Sequence, residues 1–121
     1  MPWTYSQSSG SLHHDGQLIA VGYSGHDVGK NNPALQSTPN VGPIPQGRYS
    51  IGHPHDSQKV GPFALPVEAM PGTNTFGRSA FMIHGDSIVH PGTASEGCII
   101  LLREVRNRIA ASDDRELIVT V

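Results

Sequence analysis

The sequence predicts a mainly β fold, a sandwich or a partly open barrel, with one short helix. Three observations support this prediction. Short β-favouring runs alternate with turn residues, a helical period occurs once, and glycine and proline supply 14 and 10 of the 121 residues without a collagen-like repeat. A chain of this length accommodates one domain, so we expect residues 1–121 to form a single domain.

The first strands are expected within residues 1–23. Trp3 to Tyr5 favours β structure, and Asp15-Gly16 is typical of a hairpin turn that leads into the apolar run 18–23. Residues 24–47 are rich in glycine, asparagine, proline and serine. A loop of this length is uncommon in a compact domain and is often functional.

The second half of the chain adds four apolar runs that read as strands: 48–51, 62–69, 79–84 and 117–121. Pro66 lies inside the second run and predicts an edge strand or a break there, because proline cannot donate to a neighbouring strand. Residues 101–111 place Leu101, Val105 and Ile109 on one helical face, which predicts the single helix.

Charge and composition exclude several classes of protein. Eight basic and ten acidic residues give a formal charge of −2, so the chain is not a polybasic nucleic-acid binder. One cysteine cannot form an internal disulfide, and no apolar stretch approaches the ~20 residues of a membrane span. The N-terminus has neither a basic nor an apolar signal region, so we expect synthesis in the cytoplasm without a Sec signal.

The lone cysteine stands in the segment with the clearest chemical content. His84 ends an expected strand, and Cys98 follows after a glycine-containing stretch able to fold back towards it. A thiolate attacks carbonyls, and an imidazole can take the thiol proton and return it to a leaving amine. Gly97 allows a tight turn whose N–H groups, with that of Cys98, would stabilise an oxyanion. The helix that follows would favour a thiolate through its dipole. The alternative is a small buried cysteine ahead of an apolar run.

Seven histidines raise the question of a metal site. His13 and His14 are neighbours, which point to opposite faces of a strand, whereas His53 and His55 could share one side of an extended segment. No paired ligand motif such as His-Glu-x-x-His is present. We therefore expect no metal and no cofactor, and we expect these histidines to line polar loops.

The segment Ile83-His84-Gly85, followed by Ser95-x-Gly97-Cys98-Ile99, resembles the L,D-transpeptidase (YkuD-type) catalytic domain. Residues 42–51 are similar to the entry strand of that family, and 78–84 to its run into the catalytic histidine. Blocks at Trp3-x-Tyr5, 22–25 and 31–33 further resemble a compact branch that includes effectors of type VI secretion systems. The resemblance extends over about residues 3–121.

The resemblance implies a peptidoglycan-modifying cysteine enzyme. Cys98 would attack the carbonyl of diaminopimelate next to the terminal D-alanine of a tetrapeptide stem, D-alanine would leave, and a thioester would form. Water as acceptor gives L,D-carboxypeptidase activity, and a free D-amino acid gives exchange. His84 is the expected base, with His90 as a competitor, and Ser95 orients the loop or the base.

Four residues are candidates for substrate contact. Arg48 or Arg78 could form a bidentate pair with a substrate carboxylate. Asp86 could instead fix the tautomer of His84. Glu96 stands where the family has a histidine beside the nucleophile.

The same resemblance implies partners and a location. The expected partners are peptidoglycan stem peptides, a cognate immunity protein and a secretion-system carrier, with no nucleic acid and no membrane span, and the protein is expected to be a monomer. Type VI secretion would deliver it to the periplasm of target cells.

Two other functions stay open. A papain-like wall amidase is disfavoured because such sites place cysteine before histidine, whereas no histidine follows Cys98 here. A non-catalytic cell-wall-binding or phage structural module, with Cys98 in its core, is the third reading.

Overall fold

The computed structural model describes all 121 residues and is mainly β, with one short helix after Cys98, as predicted. Its strands are β1 (Trp3–Ser6), β2 (Ser11–His14), β3 (Gln17–Val21), β4 (Tyr23–Ser24), β5 (Gly47–Ile51), β6 (His55–Ser57), β7 (Gly61–Ala69), β8 (Met82–His84), β9 (Ile99–Ile100) and β10 (Glu116–Thr120). The helix α1 spans Arg103–Ala111, two residues fewer at its start than the periodicity predicts.

The ten strands form a single mixed sheet. Its order is β3-β2-β1-β10-β5-β7-β8-β9-β4, and β6 pairs with β7 beside this path. Most pairs are antiparallel, but β1 with β10 and β8 with β9 are parallel. The parallel pair β8–β9 is the one that brings the end of the His84 strand next to the residues around Cys98.

The hairpin between β2 and β3 forms where the sequence predicts it. Asp15 and Gly16 both have positive φ, 51° and 78°, which is the backbone that a two-residue turn of this kind requires. His14 pairs with Gln17 directly across the turn. This part of the prediction is confirmed because the signal depends on only two adjacent residues.

The expectation of an edge strand or a break at Pro66 is wrong. Strand β7 continues through Pro66 and exchanges partners around it, pairing with β5 over Val67 to Ala69 and with β8 over Leu65 and Pro66. The Pro66 carbonyl still accepts from the N–H of Gly52, at 2.8 Å. The missing N–H of proline is tolerated because it falls at this change of partner.

The apolar core is formed by side chains of the central strands and of α1. Its largest fully buried members are Trp3, Tyr5, Tyr49, Leu12, Ile44, Leu65, Ile83, Ile99, Ile109 and Leu117. Tyr49 packs edge-on against Phe81, with ring centroids 6.0 Å apart. Ile83 and Ile99, in register on β8 and β9, both face this core. The buried side chains of Ile83 and Ile99 thus hold β8 and β9, the strands that lead to the candidate site, against the core.

None of the helices is long and apolar enough to cross a membrane. Residues 24–47, expected to be a loop, contain two short 3-10 turns, at Asp27–Gly29 and Pro33–Leu35. The backbone packs closely within this segment: a Cβ on Gly42 would lie 1.8 Å from the carbonyl oxygen of Leu35. This segment is therefore compactly folded against its own turns.

Candidate functional site

Cys98 lines a small cavity on the surface. The cavity measures about 210 Å³ and is bounded by four parts of the chain: residues 39–40, Lys59, residues 77–81 and residues 96–98. Cys98 is partly buried and is the only cysteine. A partly exposed thiol in a polar cavity differs from the inert, fully buried cysteine of the alternative reading.

The surroundings of Cys98 keep its thiol protonated. Burial raises the pKa of the thiol, while a hydrogen bond from the Met82 backbone and the charges of Lys59 and Arg78 lower it, without cancelling the effect of burial. Strand β9 separates Cys98 from α1, so the expected effect of the helix dipole is absent. The expectation of a dipole-stabilised thiolate is therefore wrong.

His84 lies on the strand next to Cys98. In the parallel pair β8–β9, His84 is in register with Ile100, and Ile83 with Ile99, the residue that follows Cys98. Cys98 itself lies at a bend outside β9, and its thiol is close to the backbone of Met82, two residues before His84. No hydrogen bond joins the two side chains, and His84 does not line the Cys98 cavity.

One of the two imidazole nitrogens of His84 makes a hydrogen bond with the backbone. Nδ1 lies 2.8 Å from the carbonyl oxygen of Gly85, which makes Nδ1 the protonated nitrogen and leaves Nε2 as the acceptor in the neutral ring. Burial lowers the pKa of His84, since the residue is 2% exposed, and the charge of Arg106 lowers it further. His84 is therefore neutral at pH 7, in the state that a general base needs.

Ser95 organises the turn that precedes Cys98. Its hydroxyl is fully buried, donates to the carbonyl of Cys98 at 2.6 Å and accepts from the N–H groups of Gly25 and Gly97 at 2.9 and 3.1 Å. The Gly97 N–H is thus directed at Ser95. The Cys98 N–H makes no hydrogen bond within the chain, which leaves it as the free donor of the two expected at an oxyanion site.

Glycine is required at position 97. Its φ is +135°, and a Cβ there would lie 2.4 Å from a guanidinium nitrogen of Arg78. The guanidinium of Arg78 is buried and donates to four backbone carbonyls, those of Gln36, Gly42, Pro43 and Glu96, at 2.6 to 3.2 Å. Arg78 lines the Cys98 cavity, but its hydrogen bonds hold the walls of the cavity together.

Asp86 does not contact His84 through a hydrogen bond. It accepts from the Tyr23 hydroxyl at 2.5 Å and from the N–H groups of Ser87 and Gly92 at 2.8 to 3.1 Å. Burial raises the pKa of Asp86, but these hydrogen bonds outweigh it and hold the pKa below its usual value. The carboxylate therefore closes the loop between His84 and Ser95 onto β4.

The other sequence candidates are dispersed. Glu96 is exposed and lines the Cys98 cavity. His90 is exposed at the turn of the loop after His84, where its backbone, rather than its ring, makes the hydrogen bonds. Arg48 pairs with Glu116 on β10, with Nε to oxygen at 2.6 Å, and does not line the Cys98 cavity.

Three residues near the site are not indicated by the sequence. Lys59, at the tip of the β6–β7 hairpin, lines the Cys98 cavity. Tyr23 holds Asp86, and burial raises the pKa of its hydroxyl to about 12. Arg106 of α1 adjoins Gly85. Each reaches the site through strand pairing or helix packing, for which no local pattern gives a signal.

One group of side chains has the spacing of a metal site. His14, Asp15 and Asp114 place one ligand atom each within 4.8 Å of one another. His14 already bonds Asp114 through Nε2, at 2.5 Å, and stacks on Trp3 at 3.9 Å between ring centroids. These contacts hold the β2–β3 hairpin against the residues just before β10. Neither His53 nor His55 belongs to the group.

Comparison with protein families identifies the family of the chain. The family model described as the Tlde1 domain matches residues 19–119. The chain belongs to the Tlde1 domain family. This family consists of type VI secretion effectors, and the match includes both Cys98 and His84. No curated protein and no solved structure matches the chain.

Proposed function

We propose that this Tlde1-family protein is a peptidoglycan-modifying cysteine enzyme that attacks the diaminopimelate–D-alanine bond of tetrapeptide stems. The observation that supports it best is that Cys98, a partly exposed thiol in a cavity, lies beside strand β8, which ends in a neutral His84 with its Nδ1 fixed by Gly85. The order of histidine before cysteine and the Ser-x-Gly-Cys turn agree with the L,D-transpeptidase resemblance.

The resting site holds a neutral pair rather than a thiolate and an imidazolium. Burial raises the pKa of Cys98 and lowers that of His84, and both shifts disfavour transfer of the proton before substrate arrives. Proton transfer and attack on the carbonyl are therefore coupled in one step. Hydrogen bonds between such groups are often long in the free enzyme and shorten when substrate binds.

The reaction proceeds through a thioester. Nε2 of His84 takes the Cys98 proton, directly or through one water, as Sγ bonds to the diaminopimelate carbonyl carbon. The C–N bond to D-alanine breaks, and the imidazolium returns the proton to the leaving amine. Water then attacks the thioester, loses a proton to His84 and releases a tripeptide acid, and the thiol is regenerated. A free D-amino acid in place of water gives exchange.

The backbone around Cys98 supports the tetrahedral intermediates. The free Cys98 N–H is the proposed oxyanion donor, and the Gly97 N–H would have to leave Ser95 to join it. Glu96 and Lys59, of opposite charge, line the cavity and are proposed to contact the polar ends of the stem peptide.

The biological setting proposed is antibacterial. As a Tlde1-family effector, the protein would be delivered by a type VI secretion system to the periplasm of target cells, together with a secretion-system carrier, and a cognate immunity protein would protect the producer. Removal of D-alanine would deprive the wall of donors for crosslinking.

The test uses purified muropeptides and mass spectrometry. Wild-type protein is expected to convert tetrapeptide stems to tripeptide stems with loss of D-alanine, and to exchange D-alanine when another D-amino acid is added. Cys98→Ala abolishes both reactions. Unchanged tetrapeptide after prolonged incubation with folded wild-type protein, or equal activity of Cys98→Ala, would overturn the proposal.

A further inference from the structure

A second cavity lies on the other side of the β6–β7 hairpin tip from Cys98. It measures about 550 Å³ and is bounded by the hairpin tip, the start of the loop after His84 and the first turns of α1. Lys59 lines the Cys98 cavity, and its neighbour Val60 lines this one. Gly85, the residue that fixes His84, also lies in its wall.

Arg106 is a buried cation in this wall without a counter-charge. The residue is 6% exposed and forms no ion pair. Its Nη1 donates to the carbonyls of Pro62 and Phe63, both at 3.1 Å, while Nε is buried with no partner. Nη2 also makes no hydrogen bond within the chain, so the edge of the guanidinium formed by Nε and Nη2 lacks an acceptor. A buried donor without a partner is costly and indicates a group that a ligand completes.

The surroundings of Arg106 favour an anion. Arg103, one turn earlier on α1, lines the same cavity, and its guanidinium stacks on Phe63 at 4.4 Å. The one carboxylate in the wall is that of Asp86, whose oxygens already accept from Tyr23, Ser87 and Gly92. A Cβ at Gly85 would lie 2.9 Å from Nη2 of Arg106, so glycine there leaves the guanidinium accessible.

We propose that Arg106, assisted by Arg103, binds a free carboxylate of the stem peptide on the side of the attacked carbonyl away from D-alanine. This inference rests on the proposed function. A guanidinium with one free edge of two donors suits a carboxylate, which accepts two parallel N–H bonds.

The distance from Cys98 excludes the D-alanine carboxylate and leaves two others. The Cys98 thiol is close to the backbone of Met82, and Gly85 lies three residues further along, about 10 Å at the usual rise of a strand. The D-alanine carboxylate is one residue from the attacked carbonyl, within about 4 Å, and is too near. The side-chain carboxylate of diaminopimelate and the α-carboxylate of the preceding glutamate are further away and suit the span.

The decisive experiment changes the substrate and leaves the protein intact. Wild-type protein is assayed with a synthetic tetrapeptide stem and with two analogues, one amidated at the diaminopimelate side-chain carboxylate and one at the glutamate α-carboxylate. One analogue is expected to raise KM roughly tenfold with kcat little changed, since a charge-assisted pair is lost. Equal KM for all three peptides would overturn the inference.

Variants connect the effect to Arg106. With Arg106→Gln, the free and amidated peptides are expected to have the same KM, and Arg106→Lys retains part of the preference as a point charge. Arg108→Gln, an exposed arginine on the same helix, is the matched control and keeps the wild-type preference. A preference that persists undiminished in folded Arg106→Gln would overturn the assignment, and if that variant does not fold, the substrate comparison still decides.

A binding assay separates the two proposals. Calorimetry with Cys98→Ala measures the affinity for the free and amidated peptides without turnover. Preference for the free carboxylate without wild-type turnover would retain the inference and overturn the proposed reaction. Cys98-dependent turnover with equal affinity for all three peptides would retain the reaction and overturn the inference.

Discussion

Ser95 donates its hydroxyl proton to the carbonyl oxygen of Cys98 at 2.6 Å, although the two residues are only three apart in the chain. The Ser95 hydroxyl oxygen in turn accepts from the N–H groups of Gly25 and Gly97. One side chain thus joins the residue after β4, the turn before the thiol and the backbone of the thiol itself. The position of Sγ depends on this hydroxyl.

Ser95→Ala is expected to destabilise the protein by about 2–4 kcal/mol, because two buried N–H groups and one carbonyl lose their partner. Chemical denaturation measures the change. Ser50→Ala, an exposed serine on β5, is the control and should change stability by less than about 0.5 kcal/mol. Equal stability of the two variants would show that the hydroxyl is dispensable.

The base can be identified by comparing two histidines. His84→Ala is expected to lower kcat by about 10²–10⁴-fold, the usual contribution of general base catalysis. His90→Ala, exposed in the loop, should retain nearly the wild-type rate, measured as tripeptide formation by mass spectrometry. The opposite result, with His90 essential and His84 dispensable, would assign the base to the loop.

Thiol labelling tests the electrostatics of the Cys98 cavity. Since burial raises the pKa of Cys98, iodoacetamide labelling at pH 7 should be slower than for a free cysteine and should increase with pH above the ordinary thiol pKa of about 8.5. A rate equal to that of free cysteine at pH 7 would contradict the raised pKa.

Two charges in the cavity should shift the labelling rate in opposite directions. Lys59 lowers the pKa of Cys98, so Lys59→Gln slows labelling at a fixed pH, and Glu96 raises it, so Glu96→Gln accelerates labelling. Each change is expected to be roughly threefold, the size of a weak partly exposed charge interaction. Labelling by mass spectrometry across pH gives both curves, and shifts of the same sign would refute the assignment.

Removal of Arg78, which is buried, and of Arg48, which is exposed, should reduce the stability of the protein by different amounts. Arg78→Ala should cost at least about 3 kcal/mol, because four backbone carbonyls lose a charged donor. Arg48→Ala removes only an exposed pair with Glu116 and should cost at most about 1 kcal/mol. Denaturation of both variants tests the contrast, and an equal cost would mean that the Arg78 hydrogen bonds add little.

Features that depend on adjacent residues could be predicted from the sequence. The Asp15-Gly16 turn needs only its own φ angles, and the period of α1 is visible in Val105 and Ile109. The position of His84 at the end of a strand is confirmed, whereas its pairing with Cys98 stays a prediction, because no hydrogen bond joins the two side chains.

Features that depend on distant pairing could not be predicted. Tyr23 and Asp86 are 63 residues apart and meet only through the pairing of β4 with β9. Lys59 reaches Cys98 through the β6–β7 hairpin, whose irregular register has no local signal. The prediction of an edge or a break at Pro66 was wrong because β7 changes partners at this residue. The missing proline N–H therefore does not interrupt the strand, and no local pattern shows where a strand changes partners.

The pH profile of the enzyme should reflect His84. The base must be neutral, and burial lowers the pKa of His84, so the acid limb of kcat/KM is expected below the ordinary histidine pKa of about 6.5. Arg106 contributes to this lowering, so Arg106→Gln should move the limb to higher pH, while Arg108→Gln should leave it in place. Rates of tripeptide formation between pH 4 and 8 measure the limb. A limb unmoved in Arg106→Gln, or displaced to lower pH, would mean that another group titrates, because removal of a nearby cation can only stabilise an imidazolium.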